Sequence, residues 1–179
     1  MSESKFGPRR CRDARKPLAS QCPDVVFYRC NECGSLFPVT GSTCGEEKNI
    51  LCCYKQANPL LPLDPKTASG KMTYHYQITG GYNDNAVKVF WECQNKTTAP
   101  EWIYLKTFTG GYLKYVAKNK CSPMVFALAD TDAFAYCDED PCLECVFRCK
   151  RGFIIYIYEE GTGLLKIPLD KMNAHWESQ

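Results

Sequence analysis

Cys30 and Cys33, two residues apart, stand in the run Tyr28-Arg29-Cys30-Asn31-Glu32-Cys33-Gly34, and an adjacent pair, Cys52-Cys53, follows a stretch holding Gly41, Cys44 and Gly45. Thiolates at these spacings can converge on one ion, and four of them make the tetrahedral sulfur shell that suits zinc or iron. Gly34 supplies the permissive backbone that lets amide groups approach the sulfurs. The adjacent pair is the awkward part. Neighbours on an extended chain point to opposite faces, so Cys52 and Cys53 must be bent together to share an ion. Disulfides and buried free thiols are the competing readings, and with 13 cysteines the chain cannot pair all of them internally.

A second cluster spans Cys137-Asp138-Glu139-Asp140-Pro141-Cys142-Leu143-Glu144-Cys145-Val146-Phe147-Arg148-Cys149. Cys142 and Cys145, joined by Cys137 or Cys149, can hold a second zinc, and Asp140 offers a hard oxygen to a mixed site. The same pair can serve as a redox dithiol or disulfide, or the thiols can be structural. No glycine eases the turn, and the adjacent acids disfavour an attacking thiolate. Cys44, Cys93 and Cys121 are single candidates for burial or cross-strand pairing, while Cys11 and Cys22 flank a basic segment. The two histidines, His75 and His175, have no serine or cysteine at telling spacing. His75 reads as a strand residue without metal, and His175 as a surface or interface imidazole.

The elements that must position these groups are short. Apolar segments at Tyr74 to Ile78, Ala86 to Trp91, Trp102 to Leu105, Tyr112 to Val116, Met124 to Leu128, Ala133 to Tyr136 and Phe153 to Tyr158 are separated by turn signals such as Gly80-Gly81, Thr109-Gly110-Gly111 and Glu160-Gly161. No long helical stripe competes with them. Seven short strands at this spacing predict an immunoglobulin-like β-sandwich. Upstream, Asn58-Pro59-Leu60-Leu61-Pro62-Leu63-Asp64-Pro65 is stiff and extended and reads as a linker. The fold class is therefore all-β, a small four-cysteine metal knuckle plus a sandwich. Its divisions are a basic arm (1–22), the metal module (23–60), a proline-rich linker (61–70), the sandwich (71–159) and an extension (160–179). The stretch from Leu164 onward is either another edge strand or a docking arm, with Pro168 limiting its regularity.

With 45% apolar and 13% aromatic residues in 179, the chain has material for a packed core, which excludes a disordered protein. Its longest apolar run, Phe153 to Tyr158, is too short to cross a bilayer, and no apolar-cored leader is expected at the start. Thiol-rich chemistry points to a reducing intracellular compartment, the cytoplasm or an organelle matrix. A net charge of +2 gives no strong overall field for nucleic acid. The charge is uneven, however: Lys5, Arg9, Arg10, Arg12, Arg15 and Lys16 face only Glu3 and Asp13 in the first twenty residues. Such a polar arm, with Pro8 and Pro17, is either a solvated tail or a segment that a partner orders. An acidic protein face suits it better than phosphates, since a single aromatic residue, Phe6, stands among the charges.

In combination, these motifs resemble the desulfoferrodoxin family of two-domain superoxide reductases. The likeness runs through Tyr28-Arg29-Cys30, Cys33-Gly34 and Cys52-Cys53, with Leu60 and Leu63 trailing. It continues through Gly80-Gly81-Tyr82, Trp102-Ile103-Tyr104-Leu105, Pro123-Met124-Val125-Phe126 and Tyr136-Cys137, covering roughly residues 25 to 140. The resemblance implies a desulforedoxin-like module with one iron held by Cys30, Cys33, Cys52 and Cys53. It also implies a sandwich in which a second iron takes four histidines and an axial cysteine, the latter falling on Cys137. Here the chain departs from the pattern. His75 lies near the place of the family's first ligand histidine, Asp140 stands where another would follow the axial cysteine, and no histidine lies between Cys93 and Trp102.

Three roles follow. The expected one is a non-catalytic, metal-binding structural or accessory subunit of a larger assembly, engaging protein partners through residues 1–22 and the C-terminal extension. A one-electron carrier using an Fe(Cys)4 centre is the alternative. A superoxide reductase with an atypical site is the third. The cofactors expected are one iron or zinc in the first site and, in the second cluster, a further zinc.

Overall fold

The computed structural model describes residues 24–41, 48–68, 72–80, 85–93, 99–107, 109–129, 132, 150, 152–169 and 175–177. No α-helix occurs among them. The strands are β1 (Asp24–Arg29), β2 (Leu36–Gly41), β3 (Leu51–Cys52), β4 (Lys55–Gln56), β5 (Asn58–Leu60), β6 (Pro62–Leu63), β7 (Met72–Thr79), β8 (Ala86–Cys93), β9 (Trp102–Lys106), β10 (Gly111–Tyr115), β11 (Met124–Ala127), β12 (Ile154–Glu159), β13 (Gly163–Pro168) and β14 (His175–Glu177). The basic arm, the expected strand at Ala133 to Tyr136, and the cluster of Cys137, Asp140, Cys142, Cys145 and Cys149 lie outside the described residues, as do Cys11, Cys22 and Cys44.

Side-chain alternation explains how the strands stack. In β7, Met72, Tyr74, Tyr76 and Ile78 are buried while Thr73 and Gln77 face out, the period that a strand with one covered face requires. Met124 and Phe126 of β11 repeat the pattern. These strands belong to a four-stranded sheet ordered β11-β8-β7-β14, whose inner face shares a core with Ile103, Leu105, Ile155, Ile157, Leu165 and Ile167 of a five-stranded sheet ordered β10-β9-β12-β13-β6.

The five-stranded sheet is covered on both faces. Every residue of β9 is buried, because Ile103 and Leu105 face the main core while Trp102 and Tyr104 face a second one with Tyr156 and Leu164. What covers that second face is β1, which lies between β2 and β5 in a three-stranded sheet and contributes Val25 and Phe27. The Phe27 ring meets Trp102, Tyr104 and Tyr156, each at a centroid distance of 5.1 Å. Polar contacts close the rim: Lys106 Nζ donates to Asp24 Oδ1 at 3.4 Å, and the hydroxyl of Tyr156 donates to the same oxygen at 3.5 Å.

The stretch read as a proline-rich linker supplies β6, which pairs in parallel with β13, the one parallel pairing among the described strands. The segment from Leu164 is a strand, and it sits inside its sheet between β12 and β6. Pro168 stands at its last position, where a missing donor costs least. A buried carboxylate, Asp132, fastens the β9–β10 turn by accepting from the hydroxyls of Thr107 (2.9 Å), Thr109 (2.8 Å) and Tyr112 (3.3 Å).

Phe27→Ala removes the ring common to three aromatic contacts, and a cost of about 3–5 kcal/mol is expected for such a truncation. Denaturant unfolding followed by tryptophan emission would show it as a lowered midpoint with an unchanged slope.

Candidate metal centre

The two hairpins that carry the cysteines are built differently. The first is the turn between β1 and β2, closed by the Cys30 amide donating to the Ser35 carbonyl (3.0 Å) and the Gly34 amide donating to the Cys30 carbonyl (2.9 Å). Gly34 takes a φ of 72° there, the left-handed conformation that a residue without Cβ adopts at little cost. Cys30 is buried at the end of β1, whereas Cys33, at the tip, is exposed.

The second hairpin joins β3 to β4, with Cys52 paired to Lys55 and the two residues Cys53 and Tyr54 forming the turn. Both turn residues have positive φ, 51° and 59°. Two-residue hairpins favour such turns because their twist matches that of the strands, but Gly or Asn usually occupies them. This turn is how neighbouring cysteines reach one point: Cys52 is the last strand residue and Cys53 the first left-handed one, so the chain folds back between them. Left-handed backbone costs an ordinary residue roughly 1–2 kcal/mol. The hairpin is steadied at its base by the Ala57 amide donating to the Ile50 carbonyl (2.7 Å) and is tied to the first turn by the exposed Lys55–Glu32 ion pair.

The four Sγ atoms of Cys30, Cys33, Cys52 and Cys53 all lie within 4.8 Å of one another. Cys33 and Cys52 are 3.5 Å apart, and Cys52 and Cys53 3.9 Å. A tetrahedron with metal–sulfur bonds of about 2.3 Å has edges of about 3.8 Å, so the cluster is of a size to bind one zinc or iron ion. The donor set, four sulfurs with no hard oxygen among them, suits either metal.

The thiols do not titrate alike. Ser35, through its hydroxyl 3.0 Å away and its backbone amide, stabilises the Cys33 thiolate, and Cys52 adds to this, so the Cys33 pKa is lowered to about 6. Cys52 is pushed up to about 12, first by its proton shared with Cys33 and then by burial. Cys53 is raised too, again chiefly through Cys33. Cys33 thus carries the charge while Cys52 and Cys53 keep their protons, as close-set anionic sites must. A dication would displace those protons.

Of the two histidines, His75 lies on β7 with its ring stacked on Phe90 at 4.3 Å and 8°. Cys121 is a free, exposed thiol away from the cluster. Among the described residues, no other group of three or more histidines, cysteines or carboxylates comes together as these four cysteines do. Two features of the site were not legible in the residue types: the Ser35 hydroxyl, two positions beyond Cys33, and the left-handed turn at Cys53-Tyr54.

No family model matches the chain, and no curated protein matches it in sequence. Among solved structures, it is similar to the crystal structure of the superoxide reductase from Treponema pallidum, with a TM-score of 0.52 and 15% identity over 80% of this chain and 98% of that one. At that identity the likeness is one of fold.

Two outcomes follow from this geometry. In metal-free protein at neutral pH, Cys33 should be alkylated first among the four, and Ser35→Ala should slow it; labelling mapped by peptide mass spectrometry checks both. Tyr54→Gly removes a fully exposed side chain and relieves left-handed backbone, so metal affinity should rise severalfold through a better prepared hairpin. Competition with a chromophoric chelator measures it.

Proposed function

We propose that this chain is a non-catalytic, metal-binding structural or accessory subunit of a larger assembly, with one zinc or iron ion held by Cys30, Cys33, Cys52 and Cys53. The observation that carries this reading is the convergence of four thiols from two short hairpins, one of which springs directly from the strand packed on the large sheet. A hairpin whose paired strands are two residues each has little stability of its own. A shared ion would supply what the chain lacks, so its binding free energy is largely folding free energy for residues 25–60. The ion would act there as a cross-link between the two hairpins.

The two apolar sheets that share the main core support an immunoglobulin-like sandwich as the partner of this module. The resemblance to desulfoferrodoxins implies four histidines at a second iron, and the two histidines in the whole chain do not supply them. Superoxide reduction is therefore not the activity proposed. Attachment to protein partners is assigned to the basic arm at residues 1–22 and to the C-terminal extension. A second zinc at Cys137, Asp140, Cys142, Cys145 and Cys149 belongs to the same proposal, as does a reducing intracellular setting.

One observation favours a second role. Cys33 and Cys53 are exposed, and an Fe(Cys)4 centre with sulfur at the surface can pass an electron without much rearrangement. Metal analysis and a visible spectrum with reductive titration distinguish the two. A colourless protein with one zinc per four-cysteine site supports the structural role, and a reversible red ferric centre supports the carrier. A purified protein with neither metal contradicts both.

Chelation should melt the module, seen as accelerated amide exchange at Cys30, Gly34 and Ala57, and Cys33→Ala should do the same without chelator. An unchanged module in that variant would count against metal-dependent folding.

A further inference from the structure

We propose that Arg29 is a positioning residue that couples the metal state of the four-cysteine site to the five-stranded sheet, so that the sheet responds to loading of the site. The inference rests on metal binding as proposed above. Arg29 ends β1 and immediately precedes Cys30. Its side chain reaches across to the sheet: Nη1 donates to Glu101 Oε2 at 2.8 Å, and the guanidinium lies 4.7 Å from the centroid of the Tyr158 ring. Tyr158 is in turn stacked on Trp102 at 5.5 Å and 7°, and Trp102 touches Phe27.

The same guanidinium borders the metal turn. A Cβ built on Gly34 would stand 3.6 Å from Arg29 Nη2, and the Gly34 amide is bonded to the Cys30 carbonyl. One planar cation therefore lies beside the turn that carries Cys33 and against the ring stack of the sheet. Glu101 is itself held in place, its amide donating to the Tyr158 carbonyl and its carbonyl accepting from the Val116 amide, both at 2.9 Å. Lysine could supply the charge at this position, but not a guanidinium placed over the Tyr158 ring with a simultaneous directed bond to a carboxylate. An ion that fixes the turn between Cys30 and Gly34 fixes the base from which Arg29 extends. By linkage, whatever the latch contributes to the loaded turn, loading contributes to the latch.

The test uses the full chain stripped of metal and titrated with Co²⁺, whose absorption in a sulfur tetrahedron reports binding directly. Arg29→Lys and Glu101→Gln should each weaken Co²⁺ binding by roughly fivefold or more, the size of a typical coupling between linked sites. Loading should slow amide exchange at Ile103 and Ile157 in the native chain and leave it unchanged in the variants. Unaltered affinity in both variants overturns the proposal, as does a loss of stability that is equal with and without Co²⁺, which is what a purely structural contact gives. A native chain that binds no Co²⁺ overturns the metal site itself, whereas normal binding with no change at Ile103 and Ile157 overturns only the latch.

Discussion

Burial of the outer face of the five-stranded sheet beneath Phe27 is the contact from which the rest of the arrangement follows. That face offers Trp102, Tyr104 and Tyr156, large rings that water would solvate poorly, and β1 covers them. Because β1 runs straight into Cys30, the direction of the covering strand fixes where the first pair of sulfurs stands. The packing of the sheet and the placing of the metal site are thus consequences of one strand, with its apolar residues turned inward and its final residue at the edge of the cluster.

The cysteines themselves impose the second constraint. Two neighbouring residues can share an ion only if the backbone reverses between them, and the chain meets this with left-handed conformations at Cys53 and Tyr54. Neither residue prefers that region, so the turn stores conformational free energy that a bound ion can offset. Placing the unfavourable turn where four sulfurs meet, on a hairpin with few other contacts, would make the fold of that hairpin depend on an ion bound there. Uneven titration of the thiols has the same origin: sulfurs within 4.8 Å cannot all be anionic without a cation between them.

Much of the sheet structure was legible in the residues. Tyr74 to Ile78 and Met124 to Leu128, read as short apolar segments, form β7 and β11, and the turn signals at Gly80-Gly81 and Thr109-Gly110-Gly111 separate strands as read, while the facing of their side chains shows only in the burial pattern. The cysteine spacing likewise drew attention to the four thiols that do come together. Other features depended on partners distant in sequence. Pro62 and Leu63 have no local tendency to form a strand, and they do so because β13 lies beside them with free backbone groups. Leu164 to Pro168 could be an edge or an arm until its neighbours on both sides were known. Trp102 and Tyr104 show no alternation, since both faces of β9 are covered. Arg29 reads as an ordinary charge beside a metal motif, and only the positions of Glu101 and Tyr158, more than seventy residues away, give it a role.

If the four sulfurs hold one ion, the shell around that ion can be measured directly. X-ray absorption at the zinc or iron edge of the purified, full-length protein should show a first shell of four sulfurs at about 2.3 Å with no nitrogen or oxygen scatterer. A shell dominated by light atoms, or one that keeps four sulfurs when Cys52 and Cys53 are both replaced by serine, would contradict the account.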